Sequence, residues 1–424
     1  MLTIYNAEQW QRPKTTISAK LFTDVGAVLA DIEGAEFEGS DTKETTDDGK
    51  RQRRREEKIN ALSLQYDGFV PQKITLQPYE YYADYLDNDL YQAIAEAARR
   101  IRRFCQFQKS RLSDDSYRDD SGEYGYVYRP VERMGAYIPA GRFPLISSAL
   151  MTLIPADVAG VKQRTAVSPS DNIAIQAAAS LAGASEFYLL GGIQAIAALA
   201  YGYQSIQPVN VIVGPGNQYV NAAKQLLQHR VSIDGAAGPS ELLVIADDSI
   251  NSDYLIADMA AQAEHDPQAI SVVVSDSMAL LQRLQAQLLA IRELQPIIQQ
   301  GQIVLLQADN KQGSIDFANR FAAEHLLLAD KHIKAEQLQH FGSLFIGRYS
   351  AVAYGDYCSG PNHTLPTAGA ATRQSGLSVH QFLKVQSLQT ITRSGAAILG
   401  KTARPLAQAE GLVWHDKSMQ VREG

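Results

Sequence analysis

Residues 211–224 read "VIVGPGNQYVNAAK". Three β-branched residues run into a Gly-Pro-Gly turn, and a helix start follows directly. Gly214 and Gly216 let the backbone approach a neighbour or a ligand closely, and the helix N-terminus beyond them favours an anion such as a pyrophosphate. The G-x-G-x-x-G pattern is not completed, because Val220 stands in a neighbourhood that would need small residues. A dinucleotide site and an ordinary tight strand–helix turn therefore both fit the motif.

The same strand-to-helix switch recurs outward in both directions. "GAYIPA" (135–140), "RTAVSP" (164–169), "EFYLLGG" (186–192) and "SELLVIAD" (240–247) are short β-rich runs that end in turn-forming or polar residues. Helical segments stand between them: "LISSALMTLIPADVAG", "NIAIQAAASLAG", "IQAIAALAYG" and "NQYVNAAKQLLQH". Such alternation predicts an α/β fold with parallel sheets covered on both faces. It continues after 245: helix "SDYLIADMAAQAEHDP", strand "AISVVVSDS", helix "SMALLQRLQAQLLAIREL", strand "GQIVLLQ", helix "SIDFANRFAAEHLLL" and strand "GSLFIG". This is a second α/β unit.

Upstream, residues 1–31 read as short helical pieces, and "EEKINALSLQYDG" and "DNDLYQAIAEAARRIRRFCQFQKSRL" as amphipathic helices. Cys105 lies in the latter and reads as a small buried residue. Residues 33–58 join an acidic block to a basic one, and read as a solvated loop or a self-compensating hairpin of charge. From about 384 onward the pattern is helical.

With 424 residues the chain exceeds what a single core usually supports. Its net charge of −7 argues against nucleic acid or an anionic membrane as partner. Cys105 and Cys358 are its two cysteines, too few for a disulfide framework or a Cys-rich zinc module. The first residues lack the apolar run of a signal peptide, and no segment approaches a membrane span, so a cytoplasmic enzyme is expected. All eight histidines lie at or beyond His229, so imidazole chemistry must come from the second half.

Four segments there concentrate reactive groups. In "AQAEHD" Gln262 and His265 are three residues apart on one helix face and could hold two corners of a divalent metal, against the plainer reading of a polar helix end. In "AAEHL" Glu324 and His325 point different ways from a helix and could serve successive steps, as general base and water activator. "GDYCSGPNHTLPT" offers Asp356 and His363 in a structured loop. A thiohemiacetal role for Cys358 has nothing nearby to lower its pKa. His415, beside Trp414 and near Glu410, could dock into a neighbour's site. Ser240 lies at a turn without a nucleophile elbow and reads as a ligand contact. Together Gln, His, Asp and His form a mixed N/O set suited to zinc or a similar first-row metal.

The order of these segments, from "YIPAG", "SSALM" and "IPADVAGV" through "GGIQAIAALAYG", "IVGPGNQYVNAAK", "AGPSELLVIAD", "AQAEHD", "AAEHL" and "GDYCSGPNHTLPT" to "SGLSVHQF", resembles the histidinol dehydrogenase family over roughly residues 60–424. The resemblance implies oxidation of L-histidinol to L-histidine through L-histidinaldehyde, with two NAD and one zinc per subunit, in a homodimer with sites shared between subunits. It implies zinc on Gln262, His265, Asp356 and His415, the last from the partner. Glu324 and His325 match the acid–base pair, and Ser240, His363 and Glu410 match substrate contacts, joined by the metal ligands and His325. Tyr137, Gln194 and Asn217 match the NAD contacts.

Two incomplete Rossmann-like domains are implied. The first spans 23–135 and 242–384, with a charged insertion at 33–58, and the second spans 136–241 on the NAD side. Helical extensions of 1–22 and 385–424 flank them. This chain departs from the family pattern at Ala140, Arg142 and Phe143 in "PAGRF", at Cys105 in place of a histidine, and in "AAEHL" in place of "APEHL". Two rivals remain: a relative that oxidises another alcohol such as a hydroxy acid, and a non-catalytic metabolite-binding paralogue.

Overall fold

The computed structural model describes residues 2–13, 17–34, 48–140, 144–236, 238–264 and 266–423. Strand β1 (Ile4–Asn6), helices α1 (Ala19–Glu33) and α2 (Asp48–Tyr66), strand β2 (Gln72–Ile74) and helix α3 (Asn88–Lys109) come first. A hairpin of β3 (Asp115–Arg118) and β4 (Gly122–Pro130) follows. The middle alternates β5 (Arg133–Tyr137), α4 (Ile146–Ala159), β6 (Gln163–Ser168), α5 (Ile173–Leu181), β7 (Glu186–Leu189), α6 (Gly192–Tyr201), β8 (Val211–Val213), α7 (Gln218–Leu226) and β9 (Ser232–Ile233). A second alternation runs through β10 (Glu241–Ala246), α8 (Ser252–Glu264), β11 (Ile270–Ser275), α9 (Met278–Ala290), α10 (Gln295–Gln299), β12 (Ile303–Gln307), α11 (Lys311–Phe321), β13 (His325–Ala329), β14 (Ser343–Ile346) and α12 (Ala353–Tyr357). Strand β15 (Leu383–Ile391) leads into α13 (Arg393–Ala409) and α14 (Val413–Gln420).

The predicted α/β class is the fold observed. One six-stranded sheet has the order β2-β7-β6-β5-β8-β9, parallel except for β2 against β7. The other has the order β1-β12-β11-β10-β13-β14 and is parallel throughout. Every residue of β10 and β11 is buried, as expected where helices cover both faces of a parallel sheet. Each sheet carries an apolar core on either face.

Four expectations need correction. The first residues form β1, not helix, and extend the second sheet by pairing with β12; a strand of 3 residues is too short to declare its period. Residues 23–135 do not share a sheet with 242–384: β2 pairs with β7 and α1 packs on α7, so this segment joins the middle sheet. Its helices needed a face to cover, and the face available was that of their own downstream strands. The segment after 384 begins as strand β15, antiparallel to β4 over its whole length, because long-range pairing outweighs local helical periodicity. Finally, 48–58 is the first part of α2, anchored by Lys58 to Asp31 at 3.0 Å and by Arg55 to the Tyr201 carbonyl at 2.6 Å. Residues 35–47 of the charged block lie outside the described residues.

Candidate active site

Two places in the fold gather the candidate residues, the first of them set by chain connectivity. In the middle sheet the chain winds from β5 through β6 to β7 on one side, then returns to the other side of β5 as β8. The crevice beyond the carboxyl ends of β5 and β8 is thus a topological switch point, where open α/β sheets bind ligands. Tyr137 ends β5, Gln194 lies in the first turn of α6, and Asn217 caps α7. Tyr137 is buried, which raises its phenol to about 12, and its oxygen accepts the Gly192 N–H at 3.4 Å. Gln194 donates to Asp67 Oδ2 at 2.8 Å, an oxygen that also accepts from Ser63 Oγ at 3.1 Å and Gly191 N–H at 3.3 Å. Asn217 is exposed, and its Oδ1 accepts from the N–H groups of Tyr219 and Val220. Asp67, which orders the Gln194 side of this edge, carries no sequence signal beyond its place in "YDG".

The second place is the amino-terminal edge of the other sheet. Helix α11 stops at Phe321, Ala322 turns left-handed with φ 50°, and Glu324 arrives where β13 begins. The pair is therefore not helical, as the sequence suggested, but stands at a strand start beside β10, with Leu242 facing His325 in register. Glu324 Oε2 accepts the Glu241 N–H at 2.8 Å, and the Ser240 hydroxyl also hydrogen-bonds the carboxylate. Burial pushes this carboxyl well above the usual range, and the nearby Glu241 and Asp356 add to the rise. His325 Nδ1 is 3.7 Å from Glu324 Oε2, and His325 Nε2 is 3.6 Å from Asp356 Oδ1. Both histidine and glutamate are nearly fully buried.

Behind Glu324 stands Glu241, itself buried, with Oε1 3.0 Å from Arg12 Nε. Burial raises its carboxyl to about 7, against the pull of Arg12. Arg12 also covers the Phe321 ring at 3.8 Å, which binds the N-terminal segment to this edge. Sequence reasoning missed both residues, since a Glu opening a strand and an Arg before Pro13 look like surface charge.

Helix α8 ends nearby with Gln262, which is 3% exposed and whose amide nitrogen has no hydrogen-bond partner among the described residues. A half-turn of the amide exchanges nitrogen for oxygen, and an oxygen in that buried position suits a cation. One turn earlier, Asp258 accepts the Val352 N–H at the start of α12, and burial raises its carboxyl to about 6. It ties α8 to α12, one turn before Gln262 and one turn before Asp356. His265, the other expected helix ligand, lies outside the described residues, as do Arg142 and Phe143.

The loop after α12 crosses to the middle sheet's helices. His363 Nδ1 is 2.9 Å from the Asp356 carbonyl, so that nitrogen carries the proton, and Nε2 lies 3.5 Å from Ser148 Oγ on α4. Asn362 donates to the Met151 carbonyl at 2.5 Å, fastening the two sheets' layers at this seam. Cys358 is half-buried beside it, and Cys105 is a core residue whose thiol burial lifts to about 12.

The structure brings together Ser240, Glu324, His325 and Asp356. It does not bring His415 or Glu410 to them: both are exposed, on α14 and at the end of α13. Around them the C-terminal arm exposes Trp414 (83%), Val413 (74%) and Leu406 (60%), and along β15 Val385 and Leu388. These apolar side chains stand on the surface of the described chain.

Among known proteins, the family model for histidinol dehydrogenase matches residues 51–423. A histidinol dehydrogenase from Thermus thermophilus is 38% identical over 379 residues, spanning 87% of this chain and 90% of that protein. One from Dechloromonas aromatica is 41% identical over 355 residues, spanning 80% and 81%. The crystal structure of histidinol dehydrogenase from Elizabethkingia anophelis superposes with a TM-score of 0.85 at 33% identity, covering 97% of this chain and 94% of that one. With a match over nearly its whole length in sequence and in fold, the chain belongs to the histidinol dehydrogenase family of oxidoreductases.

Proposed function

We propose that the protein oxidises L-histidinol to L-histidine through L-histidinaldehyde, reducing two NAD, with one zinc ion per subunit. The observation that carries this reading is the row of buried Glu324 and His325 with half-buried Asp356, together with the buried Gln262 amide nitrogen, unpartnered among the described residues, on the neighbouring helix. Gln262, His265 and Asp356, completed by His415 of the partner subunit, would hold the zinc; an amide oxygen, imidazoles and a carboxylate form a donor set that suits it. Bound zinc supplies orientation of the amino alcohol and polarisation of its oxygen. Bound NAD, placed at the Tyr137, Gln194 and Asn217 edge, supplies the hydride acceptor.

The chain's own groups move the protons. His325 takes the hydroxyl proton as the carbinol C–H electrons leave, which produces the aldehyde. Glu324, whose burial strengthens its affinity for a proton, then draws one from the water that hydrates the aldehyde. Ser240, His363 and Glu410 contact the substrate. The exposed C-terminal arm, with its apolar face and His415, supports a homodimer in which each site borrows from the other chain.

The test is the NADH yield per histidinol with and without a chelator. About two NADH per histidinol, lost on chelation, is expected from two hydride transfers at a zinc site. A Gln262→Ala protein with full activity would remove the metal from this reading, and a yield of one would remove the second oxidation.

A further inference from the structure

A buried pair of opposite charges lies on the middle sheet, away from Glu324 and His325. Lys224 in α7 is 1% exposed and the Asp234 side chain, just past β9, is 2% exposed. Lys224 Nζ donates to Asp234 Oδ1, and among the described residues the remaining side-chain bonds of both go to a single residue. The Gly214 N–H donates to Asp234 Oδ2 at 2.6 Å, and the Gly214 carbonyl accepts from Lys224 Nζ at 2.9 Å.

Gly214 is the first residue beyond β8, at the switch point. Its φ is +119°, and a Cβ there would stand 2.0 Å from the Tyr137 carbonyl oxygen, so no other residue fits without moving β5. The chain thus passes against Tyr137, with both peptide groups of Gly214 bonded to side chains and none to the sheet. Burying two charges costs more desolvation than an apolar pair of equal shape, so cohesion alone does not explain them. An apolar pair would leave the Gly214 N–H and carbonyl unsatisfied inside the protein and free the turn to move.

We propose that Lys224 and Asp234 are positioning residues that clamp Gly214 and so set the Gly214–Asn217 turn against which NAD docks. The inference rests on the reading of Tyr137, Gln194 and Asn217 as the cofactor edge. Neither charge touches the metal-side cluster, so the effect belongs to NAD and not to histidinol.

The experiment measures KM for NAD and for histidinol on zinc-loaded enzyme, together with calorimetric titration of NAD without substrate. Two variants serve: Lys224→Met/Asp234→Asn, which removes both charges at once, and Lys224→Arg, which keeps the pair but displaces the bond to Gly214. The double variant is expected to raise the NAD constants about tenfold or more and Lys224→Arg about threefold, with the histidinol constant unmoved. Folded variants within about twofold of the parent for NAD, or variants in which both constants rise together, overturn the clamp. Tyr137→Phe and Asn217→Ala separate the layers. If those two weaken NAD binding and the Lys224 variants do not, only the clamp falls. If the parent shows no saturable NAD binding, the cofactor edge falls and the clamp with it.

Discussion

Glu324 and His325 are neighbours with different tasks, and substitution should separate them. Glu324→Gln keeps the shape and the bond from Glu241 N–H but loses the base, so the first oxidation should outlast the second. The expected result is accumulation of aldehyde and an overall rate lower by about 10²–10⁴, the usual worth of a general base; a stopped-flow NADH trace checks it. A trace with two undiminished phases would take Glu324 out of the hydration step. Gly342 tests the same residue through its backbone. A Cβ there would stand 2.5 Å from the Glu324 carbonyl oxygen, and Ser343 N–H bonds to that oxygen at 2.9 Å. Gly342→Ala is expected to cost about 1–3 kcal/mol of stability by overpacking, and to lower activity as β13 shifts. Chemical denaturation beside an activity assay measures both.

At the scale of elements, buried carboxyls join segments that are far apart in the chain. Glu241 opens β10, Arg12 brings the N-terminal segment to it, and Asp258 ties α8 to α12. The Glu241 carboxyl is raised from 4.5 to about 7, so the folded protein binds this proton more tightly than the unfolded chain does. Its protonation therefore stabilises the fold: the contribution is complete below pH 4.5 and is lost as pH rises to about 7. The upward shift of Glu324, and that of Asp258 to about 6, act in the same sense. Glu241→Gln should flatten the fall of the melting temperature between pH 5 and 7, where the titration lies. An unchanged slope would mean that Arg12 holds Glu241 ionised throughout. Arg12→Ala should steepen the slope, since it removes a cation that favours the charged form.

For the whole molecule the question is who supplies His415. Its exposure on an apolar arm leads to the expectation that each site is completed in trans. Gln262→Ala and His415→Ala chains, each inactive alone, should recover about a quarter of parental activity when co-expressed. Half of the dimers are then mixed, and each mixed dimer holds one intact site. No recovery would place both ligands in one chain.

Much of this was legible beforehand, and the limits have physical causes. Strand–helix alternation across 134–347 declares the α/β class because each element carries its own periodicity, and the spacing of Gln262 and His265 is a local property of one helix. The motif order likewise points to the family without coordinates. What local pattern could not declare was decided by partners remote in sequence. Residues 4–6 became a strand because β12 offered an open edge, and 383–391 because β4 did. Glu324 and His325 left the helix because β10 and β14 flank a place for β13. The same holds for Arg12 behind Glu324 and Asp67 beneath Gln194. Sequence alone determined the residue types and the strongly periodic elements of this protein; tertiary structure decided the short and edge elements and which groups meet, because hydrogen bonds and burial between separate segments leave no periodic trace in either one.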